Sequence, residues 1–498
     1  MESTELFGSV LSDMWPGLSI ILVTVMGLVL VVWDAFSNDS KSIPWVAAAS
    51  LGIGIVWEAL NVIHPSEAIF FGMIRAGGYA SFVNIVIMLS ALMSIVLSVP
   101  YLRRIRHPFG EVYALIMFAT AGMIMLGTAN NLVSIFVGLE TMSIALYILT
   151  GLVRDNEGAI ESALKYFLLG AFSTGFFLFG IALLYTATGT MYLPQLSDGL
   201  EQSGLYVLFW AGVGLLFIGF FFKVSAVPFH MWTPDVYQGA PTTLTGYMST
   251  SSKAAAFASL ILVLYYALPP ERWNLVLAVI AVTTMVIGNV LALAQRNVKR
   301  MLAYSSIAHA GYVLVGLAAG TNEGYTGALI YLLVYSLMNI GTFGVMAMLE
   351  WDGREGHQQT LDSLAGVALR KPLLGVTMGI FMFSLMGFPP LAGFFAKLYV
   401  FAPAIQAGLT WLVIIGVLMS AVSAAYYLRI LWVMYMRSPE EQPAEVRNAT
   451  FPVPAPAAAV IVACAVLLVI LGLIPGLYEI TGGFFGPSAG IQPTAMVP

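Results

Sequence analysis

The residues of this chain that could do chemistry are ionisable side chains set inside long apolar runs. Lys223, Lys253 and Lys397 each stand in a hydrophobic stretch, and Glu140 does so in SIFVGLETMSIALY. A charge at membrane depth is costly; it usually faces the interior of a helix bundle and marks an ion or proton pathway. Burial disfavours the charged form of a lysine, and an approaching carboxylate favours it again. A buried lysine with an acid in reach is therefore a two-state proton carrier, and Glu140 is the expected partner of Lys223. The plainer alternative is a lysine locked permanently into a structural ion pair. Glu161 and Lys165 are secondary candidates: four residues apart, they share one helix face, although snorkelling to the interface explains them as well. His230 either relays protons between lysines or bonds free carbonyls. His309, with Ser305 and Ser306, either lines a wet path or joins helices by hydrogen bonds.

Two broken segments must position these groups. In KVSAVPFHMWTPDVYQGAP, Pro228 follows Lys223 by five residues and precedes the polar cluster His230, Trp232, Asp235 and Gln238. In FMFSLMGFPPLAGFFAKLYVF, Gly387, Pro389, Pro390 and Gly393 interrupt the run and Lys397 follows. Proline removes a helix hydrogen bond and leaves a carbonyl that lipid cannot satisfy, so each break must face protein or water. Pro228 and Pro390 lie 162 residues apart, roughly the length of five spans. NLVSIFVGLETMSIALYILTGL (131–152) and NVKRMLAYSSIAHAGYVLVGLA (297–318) share a pattern consistent with that period. Copies of a five-span repeat run through the membrane in opposite directions, and inverted repeats meeting at discontinuous helices typify ion-translocating transporters.

The rest of the chain fits a membrane bundle. Of 498 residues 59% are hydrophobic and 9% charged, with mean hydropathy +0.90; soluble domains average about 25% charged. A span needs about 20 residues, and fourteen runs qualify, near 15–34, 44–63, 78–100, 111–127, 131–151, 160–187, 205–238 (broken), 242–268, 272–295, 300–319, 325–350, 371–404 (broken), 408–436 and 453–475. Connections after odd-numbered spans carry thirteen Lys or Arg residues, those after even-numbered spans only Arg75 and Arg272. That bias places both termini on the outer side. The expected fold is an all-α polytopic membrane protein with about 14 transmembrane helices and two inverted five-helix repeats, each with a broken helix. Its parts are helices 1–3 (1–110), a first repeat (111–268), a second repeat (269–437), and helix 14 with a tail (438–498).

Several functions are disfavoured. There is no Walker loop, dinucleotide fingerprint, cysteine cluster or zinc-like histidine pair. His64, His107, His230, His309 and His357 are scattered, and the net charge of −5 comes without a basic stripe for nucleic acid. The single cysteine, Cys464, excludes an internal disulfide and reads as a packed structural thiol. The acidic N-terminus lacks the basic region of a cleaved signal peptide. Asp34, Glu58 and Glu350 fall at span ends and call for no special role, and Arg429 reads as an interfacial anchor.

The runs KVSAVPFHMWTPDVYQGAPT, KRMLAYSSIAHAGY (299–312) and FPPLAGFFAKLYVF (388–401) resemble the signatures of the antiporter-like subunits of respiratory complex I and of Mrp cation/proton antiporters. With the fourteen-span layout the resemblance covers most of the chain. It is nearest to the N-type branch of complex I: SSKAAAF surrounds the second lysine, a lysine stands at 397 where the M-type subunit is expected to have glutamate, and the long lateral helix of the L-type is not expected. The resemblance implies that Glu140, Lys223, Lys253 and Lys397 handle protons, with Glu161, Lys165 and His230 of secondary weight. It implies two half-channels joined by a polar chain. It places NADH, FMN, iron–sulfur clusters and quinone in partner subunits and none of them in this chain. The implied partners are the M-type antiporter-like subunit, the small K- and J-type subunits and lipid, in a bacterial inner membrane. A stand-alone or Mrp-type sodium/proton antiporter is the rival reading, disfavoured by a core richer in lysine than in acid. A purely structural subunit would leave the buried lysines unexplained.

Overall fold

In lipid an apolar run can satisfy its own backbone only as a helix, and the long runs of this chain form helices. The computed structural model describes residues 14–36, 41–105, 109–350, 360–443, 452–474, 476 and 484–485. His107 and His357, and the extreme N- and C-termini, lie outside the described residues. The helices are α1 (Leu18–Phe36), α2 (Ile43–Asn61), α3 (Gly78–Arg104), α4 (Glu111–Gly127), α5 (Leu132–Thr150) and α6 (Glu157–Thr188). There follow α7 (Tyr206–Val224), α8 (Trp232–Gly239), α9 (Thr242–Ala267), α10 (Pro270–Leu293), α11 (Val298–Ala318) and α12 (Asn322–Leu349). The last are α13 (Pro372–Met386), α14 (Ala392–Gln406), α15 (Thr410–Met436) and α16 (Ala455–Leu473).

Among the described residues, twelve of the helices are long and apolar enough to cross a membrane. The 17-residue α4 and the broken pair α13–α14 fill the two remaining expected positions. The protein is thus an all-α polytopic membrane protein. A two-stranded antiparallel hairpin, β1 (Glu67–Ile69) and β2 (Ile74–Ala76), joins α2 to α3. Helices α3, α9, α11 and α12 are buried over most of their length and form the centre, while α1, α6 and α15 leave most of their surface outward.

The element order of 111–267 returns in 270–436. Helix α4 packs on α5 as α10 packs on α11, and α6 lies against α7 and α8 as α12 lies against α13 and α14. Close approach in the first pair depends on small residues: a Cβ at Gly138 would meet the Leu126 amide at 2.5 Å, and one at Gly122 the Met142 amide at 2.5 Å. Gly288 and Gly311 do the same between α10 and α11, with Ala308 and Met285 amides at 2.7 and 2.8 Å. Backbone contact through small residues is how membrane helices gain packing without a hydrophobic drive. The caps match too. Asn131 accepts from the Val133 amide at the start of α5, and Asn297 from the Arg300 amide at the start of α11. Asn156 and Thr321 cap α6 and α12 in the same way.

Three charged residues are placed differently from expectation. Lys299, expected in a connection, sits in the first turn of α11, buried, with its amine donating to the Ala240 carbonyl at 2.7 Å. Glu58, expected at an unremarkable span end, is 2% exposed and accepts from Ser19 and from Asn84. Glu350 accepts from Tyr101 at 3.1 Å and from Thr242. Hydropathy locates a charge along its helix and is blind to the direction in which the side chain turns. Cys464 is buried against Met93, as a packing thiol should be.

Candidate functional site

The two breaks begin with one motif. Helix α7 ends at Ser225, whose backbone is left-handed (φ 64°); its amide and that of Ala226 turn back to Phe222 and Phe221. Helix α13 ends at Gly387 (φ 85°), where the amides of Gly387 and Phe388 turn back to Ser384 and Phe383. Both are helix-terminating caps of the Schellman type. Both breaks also contain a cis X–Pro bond, Val227–Pro228 and Pro389–Pro390. What completes each cap differs. The Trp232 indole N–H donates to the Phe222 carbonyl at 2.9 Å. At the second break, the Lys397 amine donates to the carbonyls of Leu385 and Met386 at 3.1 and 2.9 Å.

Lys223 lies in the last turn of α7 and is buried. Its amine donates to Ser143 Oγ on α5 at 2.6 Å and stands 5.5–5.7 Å from the ring centres of Tyr147, Tyr166 and Phe222. Such cation–ring contacts are worth about 0.5–2 kcal/mol, more as water is excluded. Glu140 is half-buried, three residues before Ser143 on the same helix, and accepts from Thr174 Oγ1 of α6 at 2.8 Å. The structure does not close the expected Glu140–Lys223 ion pair; each group has a neutral partner instead.

Lys253 follows a π-helical turn, Met248–Ser252, within α9. The hydroxyls of Ser249, Thr250 and Ser252 bond back to helix carbonyls there, which keeps the widened turn satisfied away from water. The Lys253 amine donates to the Ser306 hydroxyl at 2.6 Å and the Ser306 carbonyl at 2.8 Å, both on α11. Lys397 adds a bond to Ser420 Oγ at 2.6 Å and stands 4.9 Å from the Tyr312 ring centre. Among the described residues none of these three amines has a carboxylate within 4 Å. Neutral oxygens hold all three, and ring faces stand beside Lys223 and Lys397.

The secondary candidates separate. His309 pairs with Tyr331 through Nδ1 at 2.7 Å and with Tyr427 through Nε2 at 3.0 Å, and Tyr427 meets Ser305 at 2.5 Å. The histidine lies within electrostatic reach of both Lys253 and Lys397. His230 is half-buried, its Nδ1 has no hydrogen-bond partner, and it bonds to neither neighbouring lysine. Glu161 and Lys165 stand at the surface of the bundle, 65% and 43% exposed, joined at 2.7 Å. Lys165 also reaches Asp235 at 2.9 Å, and Asp235 takes Arg300 at 2.5 Å. Trp232, Ser143, Ser420, Tyr427, Asp235 and Arg300 carry no role in the sequence reading. Only Trp232 and Asp235 gave a signal, as members of the polar cluster after Pro228.

Buried lysines beside two matched helix breaks, in a bundle of some fourteen spans, define a membrane protein of the ion-translocating class. The chain belongs to the NADH:quinone oxidoreductase/Mrp antiporter transmembrane family, whose sequence model matches residues 129–423. Over 494 residues it is 61% identical to the NADH-quinone oxidoreductase subunit N of Salinibacter ruber, covering 98% of this chain and 99% of that protein. It is 43% identical to subunit N 1 of Chloroherpeton thalassium, over 94% of this chain and 97% of that protein. Among solved structures it resembles a chain of respiratory complex I from Thermus thermophilus, with 37% identity, TM-score 0.79, and 92% and 98% of the two chains covered. A chain of the Mrp complex from Dietzia shares the fold at TM-score 0.83 with 21% identity, over 94% of this chain and 96% of that one.

Proposed function

We propose that this chain is a proton-translocating membrane subunit of an NADH–quinone oxidoreductase, of the N type, and that it moves protons along a buried Glu/Lys/His chain. The observation that carries this reading is the setting of Lys223, Lys253 and Lys397: buried among helices, bonded to neutral oxygens and free of fixed counter-ions. A lysine clamped by an acid would keep its proton; a lysine held by hydroxyls and carbonyls can gain and lose one. Glu140 is the modulating acid. Bringing its carboxylate to ~4 Å from the Lys223 ammonium would stabilise the ion by about 4 kcal/mol at an effective dielectric of 20. Withdrawal to Thr174, the arrangement in this structure, releases that hold. The proton then passes to Lys253, on through His309 and its tyrosines, to Lys397 and out. His230, Lys165 and Glu161 stand aside from this line.

The two five-helix units, 111–268 and 269–437, supply one half-channel each, flanked by 1–110 and 438–498. Quinone reduction in other subunits provides the driving free energy, and NADH, FMN, iron–sulfur clusters and quinone are held there. The neighbours are the M-type antiporter-like subunit and the small K- and J-type subunits, in a bacterial inner membrane. The Lys/Arg census supports both termini on the periplasmic side.

The test is Lys223→Ala in membranes carrying the whole complex, with NADH oxidation and acidification measured together. Acidification per NADH should collapse; a normal ratio would sink the role. Glu140→Gln should impair it more than the neighbouring Thr141→Ala.

A further inference from the structure

The cluster around Asp235 takes no part in the proton line, yet it is built from both halves of the molecule. Asp235 lies on α8, the short helix after the first break. Lys165 reaches its carboxylate from α6, and Arg300 from the first turn of α11. Arg300 also donates to Gln238 Oε1, one turn along α8, at 3.2 Å. An isolated ion pair of this exposure contributes little; here one carboxylate ties three helices, and its backbone is held as well. Ser162 Oγ on α6 donates to the Asp235 carbonyl at 2.9 Å, and α8 runs so close to α6 that a Cβ at Gly239 would meet that same Ser162 Oγ at 1.9 Å.

What α8 carries is the surroundings of Lys223. Trp232, one turn before Asp235, stacks on Tyr166 with ring centres 4.5 Å apart, and its N–H caps α7 at Phe222, the residue before the lysine. Tyr166 is one of the rings facing the Lys223 amine. Thr233 ties the start of α8 to Ser225 at the end of α7, 2.8 Å apart. On the other side, Arg300 belongs to the helix whose Ser306 holds Lys253.

We infer that Asp235 is a positioning residue: gripped by Lys165 of α6 and Arg300 of α11, it holds α8 so that Trp232 and Tyr166 stay against Lys223, and it thereby ties the setting of Lys223 to the helix that holds Lys253. Rearrangement around one lysine is then felt at the other through α8 and α11. The inference rests on the proton-carrier reading of the two lysines.

The experiment uses membranes containing the assembled complex. Asp235→Asn, which keeps the shape and removes the charge, should lower quinone-coupled proton flux per complex about fivefold or more, the size of a typical coupling between sites. Complex content and NADH–ferricyanide turnover, which bypasses the membrane arm, should hold. Asp235→Glu should restore most of the flux, a rescue that a general loss of stability would not show. Asp235→Asn combined with Arg300→Gln should do little more harm than either change alone, since both open one contact. Where Asp235→Asn reduces assembly, Arg300→Lys and Lys165→Gln, each loosening a single grip, should lower flux with content intact. Full flux in an assembled Asp235→Asn complex overturns the inference; so does flux that falls only in step with complex content. Normal acidification in Lys223→Ala defeats the proton-carrier reading itself. A Lys223→Ala complex that no longer acidifies, beside an unaffected Asp235→Asn complex, defeats the positioning role alone.

Discussion

At the first break the helix end is finished by a neutral donor, the Trp232 indole, and Lys223 is left to reach Ser143 and three aromatic rings. At the second break no such indole is used; Lys397 itself holds the carbonyls of Leu385 and Met386. The backbone turn is the same at both places, so the difference lies in which side chain completes it. A helix C-terminus carries partial negative charge that favours a cation placed on it. Lys397 takes that stabilisation from the end of its own broken span. Lys223 depends on neighbours across a helix interface, with Glu140 a turn from its hydroxyl partner. One lysine is bonded to the end of a broken helix; the other has a neutral hydroxyl partner and, in the proposed function, a carboxylate that approaches and withdraws. In the proposed relay, Lys223 would respond to its neighbours and Lys397 would wait on its helix end, which would give the relay a direction.

That contrast can be broken most sharply at Lys397. Lys397→Ala should abolish acidification and also strip the Leu385 carbonyl of its donor, at about 1–3 kcal/mol for a buried group left unsatisfied. Ser420 still donates to the Met386 carbonyl at 3.0 Å. Lys223→Ala should abolish acidification with the cap of α7 intact. Thermal inactivation of the purified complex should therefore begin at a clearly lower temperature for the first variant than for the second. Equal midpoints would erase the distinction between the two breaks. A smaller effect belongs to Trp232→Phe, which keeps a ring against Tyr166 and loses the N–H. About 0.5–1.5 kcal/mol, the worth of one hydrogen bond, should appear as a partial fall in acidification per NADH. An unchanged ratio would mean that the Ser225 amide alone suffices for Phe222. The smallest effects test the likeness of the halves rather than their difference. Asn131→Ala and Asn297→Ala each remove an N-cap worth typically about 1 kcal/mol or less. The two should lower the inactivation temperature by similar amounts.

Much of this was legible in the chain itself. Long apolar runs, a basic bias on alternate connections and prolines beside lysines placed the spans, both breaks and the three central lysines. Partnerships across helices were not legible. Spacing tells how deep Lys223 sits on α7, and nothing in it says that Ser143 of α5 receives the amine while Glu140 turns to Thr174. His230 stands beside a proline and draws attention; His309, buried among tyrosines from α12 and α15, is the histidine near two lysines. Glu161 and Lys165 share a face as their spacing predicts, but that face looks outward and joins Asp235 instead of the interior line. Lys299 was misread for a related reason. A residue next to Arg300 in a basic connection looks solvated until α11 is seen to start at Val298 and point it at Ala240.

The widened turn at Met248–Ser252 has a geometric corollary for Lys253. A π turn holds one more residue than the α turn it replaces, and each residue advances an α-helix by about 100°. Wind the same residues as ordinary α and the amine would swing roughly a quarter-circle off Ser306. Excising one residue as the turn closed would instead leave it close to its present direction. Met248 and the four hydroxylated residues that separate it from Lys253 therefore act as a compass, fixing the azimuth of the lysine's amine.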